Sequence, residues 1–314
     1  MLFSGSADIR EGFAKALMEL GESNPNVVAM SADLAGSSKV QAFADAYPDQ
    51  FIQMGISEGD MMGTAAGLAL AGKIVFPTTF AVFAASLANQ AVRLSIVYNQ
   101  ANVKIAAGHG GITVGGDGAT HQAFEDIALM RVLPGLTVVV PADANEAYHA
   151  TLAVAAMHGP VYLRLARSPH PVFTDPTKSF QIGKAEVLRE GADVGIIATG
   201  TMVVRALQAA EALEKDGISA RVINMHTIKP LDTECVLSCA VDCKAVVTAE
   251  EHSVIGGLGG AVAELLAQKQ PTPIEFVGVQ DTFGESGEPE EILTKYGLSA
   301  DKIREAAVTA VQRK

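Results

Sequence analysis

Glu58 is the side chain whose type and setting most directly suggest chemistry. It lies in Phe51–Gly72, FIQMGISEGDMMGTAAGLALAG, between a short strand-like run and a helix of small residues. Ser57 followed three residues on by Asp60 reads as a capping box, which puts Glu58 in the first helical turn, beside the partly positive helix end. Read locally, the carboxylate complements the helix dipole. At a closed site the same group could shuttle a proton, which an amide could not. Gly63, Ala65, Ala66, Gly67, Ala69 and Ala71 leave the helix thin enough for a second backbone to approach, and Gly72 ends it. A second polar concentration, His109, Asp117 and His121, belongs to one Gly-rich stretch that by sequence alone is a mobile surface connection.

Three nucleotide-type motifs fail on physical detail. GLALAGKI, 67–74, has the glycine and lysine spacing of a phosphate loop, but Ile74 stands where a hydroxyl should hold magnesium, and the segment ends a helix instead of opening one. Gly257-Leu258-Gly259 precedes a helix, yet Val262 occupies the third glycine position of a dinucleotide turn. Gly116-Asp117-Gly118 with Asn145 imitates a magnesium–diphosphate motif without the apolar strand that should come directly before it. Cys235, Cys239 and Cys243 are spaced four apart, but Asp242-Cys243-Lys244 reads as the entry to a strand and no histidine falls at ligand spacing. They are expected to be buried, reduced thiols, with no metal site.

The elements that must position these groups alternate. Helix is predicted over 8–20, strand over 27–31, and a small polar loop, ADLAGSS, follows at the strand's carboxyl end, where open α/β sheets keep their sites. Helix over 40–47, strand over 51–55 and the Glu58 helix come next. A strand over 73–76 is broken by Pro77, then a long helix runs over 80–98 and a strand over 103–107. After the Gly-rich stretch come helix 124–130, strand 137–140, helix 145–157 and strand 161–165. The pattern stops in the proline-dense RSPHPVFTDP. A second unit has strands over 194–198, 220–224, 246–249 and 274–277, helices over 203–216 and 257–268, and a helical tail over 289–313. The alternation implies an α/β protein of two domains, each a mostly parallel sheet covered by helices, over 1–168 and 190–314 with a linker over 169–189.

Composition agrees. The 314 residues are 49% hydrophobic and 18% charged, which suits two well-buried cores. A formal charge of −12 disfavours nucleic acid and anionic membrane as partners, leaving room for local basic sites that bind small anions. The opening MLFSGSADIREG lacks a basic region followed by an apolar core, and the richest apolar stretch, 78–92, is too short to span a bilayer, so a cytoplasmic protein is expected.

Several segments occur in a fixed order: GISEGDMMGTAAGLALAG, PTTFAVFAASLANQAVRLS, GHGGITVGGDGATHQAFEDIALMRVLPGLTVVVPAD and YLRLAR. Together they resemble the pyrimidine-binding half of transketolase, and GTMVVRALQAAEAL with AEEHSVIGGLGG resembles the transketolase carboxyl-terminal domain. The domain that grips the cofactor's diphosphate and metal is absent from the chain. The resemblance therefore implies the carboxyl-terminal subunit of a split transketolase, moving a two-carbon ketol unit between sugar phosphates. An amino-terminal subunit would hold the diphosphate of thiamine diphosphate with Mg2+ or Ca2+, and self-association would give a heterotetramer.

The same resemblance implies residue roles. Glu58 would hydrogen-bond the cofactor's aminopyrimidine, and Phe80 and Phe83, three apart on one helix face, would wall its ring. His121 would contact the donor's carbonyl and C1 hydroxyl, Asp117 its C2 hydroxyl, and His109 the phosphate end. Arg10, Ser37 and Arg167 would be the other phosphate ligands, a guanidinium being able to hold phosphate through two donors at once. Asp33 would sit by the cofactor across a dimer interface. Ser57, Gly59, Ser86 and Gly116 depart from the family's usual residues. Alternatives of the same fold are a deoxyxylulose-phosphate synthase-like subunit, a 2-oxoacid dehydrogenase β-like subunit, which the ATHQAFED segment disfavours, and a non-catalytic scaffold.

Overall fold

Successive residues of Val27–Ser31 face opposite ways, and both faces are apolar: Val27 and Ala29 join one core cluster, Val28 and Met30 another. A strand buried on both sides belongs inside a parallel sheet with helices on each face. That is its place in the computed structural model, which describes residues 5–314. The first four residues of the stretch read for a leader thus lie outside the description.

With Val27–Ser31 as β2, the first sheet has seven strands among the described residues. Their order is β12 (Thr227–Lys229), β6 (Thr137–Val139), β7 (Val161–Arg164), β5 (Lys104–Gly108), β4 (Ile74–Phe80), β2 and β3 (Phe51–Gln53). Neighbours are parallel except at β12, an antiparallel edge contributed from far along the chain. One face carries α1 (Ile9–Ser23) and the helix Ala144–Ala156, packed so closely that a Cβ on Gly12 would stand 1.9 Å from the Ala144 carbonyl oxygen. The other face carries α3 (Glu58–Leu70) and a helical run over 81–97.

The second sheet has the order β14 (Ile274–Val279), β13 (Val246–Ser253), β10 (Val194–Ala198), β11 (Ala220–Asn224) and β9 (Glu186–Arg189), parallel except for β9. Helices Met202–Lys215 and Ala300–Gln312 cover one face, and their buried residues form a cluster with Val194, Ile196 and Ala198. On the other face Ile197, Val236 and Leu258 share a single apolar cluster with Met130, Leu133 and Val138 of the first unit. The two-domain α/β class expected from the alternation is the observed one. No helix among the described residues is long and apolar enough to cross a membrane.

Several local expectations differ. Pro77 does not break its strand: β4 runs through it to Phe80, paired with β2 at Met30. Ile74 donates its N–H toward β2 and Val75 toward the start of β5, so the donor missing at Pro77 falls on the β5 side, and the two flanking ladders keep the segment extended. Phe80 is consequently the end of a strand, and the helix begins after it, with π-helical stretches at Phe83–Leu87 and Val92–Val97. Ser57 is the N-cap residue of α3, but its side chain makes no capping bond among the described residues. The helix Thr233–Cys243 persists through Cys243 and ends on Lys244 in the left-handed region, and the three cysteines are free. The tail divides into Pro289–Lys295 and Ala300–Gln312. The stretch 169–189 is structured at both ends: β8 (Pro169–Pro171) pairs with β1 (Ser6–Asp8), and β9 joins the second sheet.

Candidate active site

β4, β5 and β2 end side by side at Phe80, Gly108 and Ser31, and the side chains singled out by sequence collect beyond these carboxyl ends. Glu58, the first residue of α3, is 5% exposed, and the Thr79 hydroxyl lies 3.5 Å from its Oε1. The neighbouring Phe80 forms the hub of an aromatic cluster. Its ring lies parallel to Phe83, with centroids 5.8 Å apart, and stacks on the His109 imidazole at 3.7 Å. His121 meets both rings edge-on, 6.0 Å from Phe80 and 5.6 Å from Phe83. Phe80 is placed by the strand end and Phe83 by the start of the first π-helical stretch.

His109 holds a left-handed backbone conformation, φ 59°, of the kind that survives only where surrounding structure enforces it. Burial keeps its imidazole neutral, pushing the pKa down to about 3, with the Arg10 and Arg167 guanidiniums and His121 adding to the effect. The ring is therefore a hydrogen-bonding group and not a cation at neutral pH. Its Nδ1 is buried without a partner among the described residues, and its Nε2 lies 3.5 Å from Arg10 Nη1.

Arg10 is largely committed within the chain. Asp8 accepts from its Nε and Nη2, the Ser37 carbonyl accepts from Nη1 at 2.7 Å, and the Arg167 carbonyl from Nη2 at 3.1 Å. Ser37 is exposed and contributes its backbone to this contact. Arg167 is half-exposed, with Asp117 3.2 Å away, and it also donates to the Val114 carbonyl. Asp8, Arg10, Val114, Arg167 and Glu288 line one cavity, so both units contribute to its wall. Asp33 stands apart from the cluster, in the left-handed region at φ 61°, with its N–H donating to Gln53 Oε1.

The Gly-rich stretch is not a mobile connection in its first half. Residues 108–115 are buried, and Glu251 of the second unit accepts from the Ile112 and Thr113 backbone and the Thr113 hydroxyl. Sequence reasoning missed Asp8 and Glu251. A carboxylate two residues before Arg10, at a helix N-cap, was the available signal for Asp8; Glu251 lay within AEEHSVIGGLGG with nothing local to mark its target.

Residues 5–171 match the pyrimidine-binding domain of transketolase and residues 183–303 its C-terminal domain. The chain is 44% identical over 306 residues to the 6-deoxy-6-sulfo-D-fructose transketolase subunit of Clostridium sp. (strain MSTE9), covering 98% of this chain and 95% of that one. It is 37% identical to an apulose-4-phosphate transketolase subunit of Phocaeicola vulgatus, covering 97% of each. Among solved structures it superposes on a split-gene transketolase, described as an inactive beta4 tetramer, with TM-score 0.91 and 50% identity over 97% of this chain and 98% of the other.

Proposed function

The chain belongs to the transketolase family, as a C-terminal subunit of the split kind, and on that premise we propose that it transfers a two-carbon ketol unit between sugar phosphates together with a separate N-terminal subunit. The division into 1–168, a linker over 169–189 and 190–314, a cytoplasmic setting and assembly as a heterotetramer are parts of the same reading. The observation that carries it is the joining of Glu58, through Thr79, to the Phe80–Phe83–His109–His121 cluster.

That cluster fits the pyrimidine half of thiamine diphosphate. Two parallel aromatic rings offer an apolar wall, a carboxylate shielded from water faces Thr79, the residue before Phe80, and the His109 Nδ1, with no partner among the described residues, offers a further polar contact. Glu58, Phe80 and Phe83 would hold this half of the cofactor, with Asp33 near it at a dimer interface. The partner would hold the diphosphate with Mg2+ or Ca2+. When bound, the cofactor supplies the carbon nucleophile that carries the ketol unit.

The chain's own residues do the rest. Glu58 holds and returns a proton at the pyrimidine edge in a site where burial excludes water. His121 and Asp117 orient the donor's oxygens, and neutral His109 adds a hydrogen bond without fixed charge. Arg167, with Arg10 and Ser37, forms the anion end of the channel. The test is reconstitution. The purified chain alone should be folded and inactive, with no sub-millimolar affinity for thiamine diphosphate by calorimetry. Co-purified with its N-terminal partner it should transfer ketol units on a panel of phosphorylated and sulfonated sugars. Activity of the single chain, or no transfer by the complex on any sugar, would overturn the reading.

A further inference from the structure

β13 pairs with β10 only as far as Ala249, then continues through Glu251, His252 and Ser253 toward the other unit. Glu251 bonds to the segment that carries the proposed substrate-facing groups, and His252 and Ser253 bond to the stretch that follows it. Glu251 Oε1 accepts from the Ile112 N–H, the Thr113 N–H and the Thr113 hydroxyl, all at 2.8 Å. Ala128 donates its N–H to His252 Nε2 at 3.3 Å, and the Ser253 N–H donates to the Phe124 carbonyl at 2.6 Å. The far oxygen of Glu251 accepts from the Thr201 hydroxyl at 2.6 Å, and Arg164 donates to the Glu251 backbone carbonyl at 3.0 Å.

The Glu251 carboxylate is thus removed from solvent, with its residue 2% exposed, and answered by four donors. Two consecutive backbone N–H groups and a hydroxyl converging on one oxygen oblige the chain to curl around that atom. The fit is tight: a Cβ on Gly111 would lie 2.2 Å from Oε1. His109 precedes this anchor by three positions, and Asp117 follows it within four. A mobile loop could not hold two such groups in register with Phe80, whereas a loop wound on a buried charge can.

We propose that Glu251 is a positioning residue for ketol transfer: the second unit contributes to catalysis by fixing the 109–121 segment, without touching substrate or cofactor. The proposal rests on the reading of the first-unit cluster as the reacting site. Glu251→Gln is the variant of choice, because it keeps the size of the side chain while replacing the charge that holds three loop donors with a neutral amide, which accepts more weakly. Thr113→Val is a second, milder probe that leaves the carboxylate intact.

Two measurements decide it. In hydrogen–deuterium exchange on the full chain, peptides covering 109–121 should exchange at least tenfold faster in Glu251→Gln, with Thr113→Val between it and the parent, while β2 and β5 exchange as before. In the reconstituted complex kcat should fall, by up to about 10²-fold for a displacement near 1 Å, with KM and melting temperature little changed. Unchanged loop exchange, equal acceleration throughout the chain, or a loosened loop with full kcat would each overturn the proposal. Failure of the unmodified complex to transfer ketol units would instead overturn the functional reading, while the exchange measurement would still judge the anchor.

Discussion

The carboxylate of Asp8 grips the guanidinium of Arg10 at two points, Nε to Oδ1 at 3.0 Å and Nη2 to Oδ2 at 2.6 Å, with each side chain no more than 10% exposed. Asp8 also caps α1, accepting from the Arg10 N–H at 2.9 Å. An arginine held in this way is a strut between the start of α1, the Ser37 loop and the Arg167 turn, besides any part it plays at the anion end.

Arg10→Ala should therefore cost stability. Removing one partner of a buried ion pair typically costs about 3–5 kcal/mol, and the half-exposed Lys39 ammonium, 3.8 Å from Asp8, should offset part of it. Asp8→Asn, which keeps a good N-cap residue, should cost less. Urea unfolding of the chain measures both, and an Arg10→Ala protein as stable as the parent would remove the strut.

Arg167 is poised differently, half-exposed and paired with a half-exposed Asp117. Arg167→Ala should raise KM for phosphorylated sugars by roughly 10- to 150-fold, the equivalent of one charge-assisted bond, while sparing turnover of a short, unphosphorylated donor such as hydroxypyruvate. Equal losses on the two substrate types would mean that Arg167 holds the loop through Val114 and not the sugar's anion.

Glu58→Gln should assemble with the partner and lose ketol transfer by about 10²-fold or more, the usual scale of lost acid–base assistance. The variant keeps the size of a side chain only 5% exposed, so a drop caused by misfolding would show in the melting temperature. Parent-like turnover would end the assignment.

Glu146 sets a pH dependence away from this site. Burial, reinforced by the nearby Asp143 charge, pushes its pKa up to about 8 from 4.5, although the Ala142 N–H and Asn224 amide bonds act against the rise. Between those values the folded protein keeps a proton that the unfolded chain has shed, so Glu146 removes stability as pH rises, at most about 1.4 kcal/mol per pH unit. His109 and His226, pushed down to about 3 and about 4, act oppositely and lose stability as pH falls below 6.5. Glu146→Gln should accordingly gain melting temperature relative to the parent as pH is raised from about 5 to about 7. A constant difference across that range would show that Glu146 ionises normally in the folded protein.

Much of this arrangement was legible because it is periodic. Val27–Ser31 and Val194–Ala198 announce doubly buried strands, and their alternation with amphipathic helices leaves few architectures open. Pro77 misled because propensity speaks for an isolated strand, whereas β4 is held between two ladders. The burial of 108–115 was invisible for another reason: part of its cause is Glu251, more than a hundred residues away, and nothing about a Gly-rich stretch reveals which distant carboxylate will claim its N–H groups. Glu58 was found through its helix, but its setting against Thr79 and Phe80 needed the strand end that the sequence placed inside a helix.

The position of β12 bears on how the protein is made. During synthesis β6 emerges long before Thr227–Lys229, and until those residues leave the ribosome the outer edge of the first sheet has no neighbour. An open edge is a template for pairing with other nascent chains. The first unit is thus vulnerable from the time β6 forms until the second unit is well under way, and a chain stopped before Thr227 would keep that exposed edge permanently.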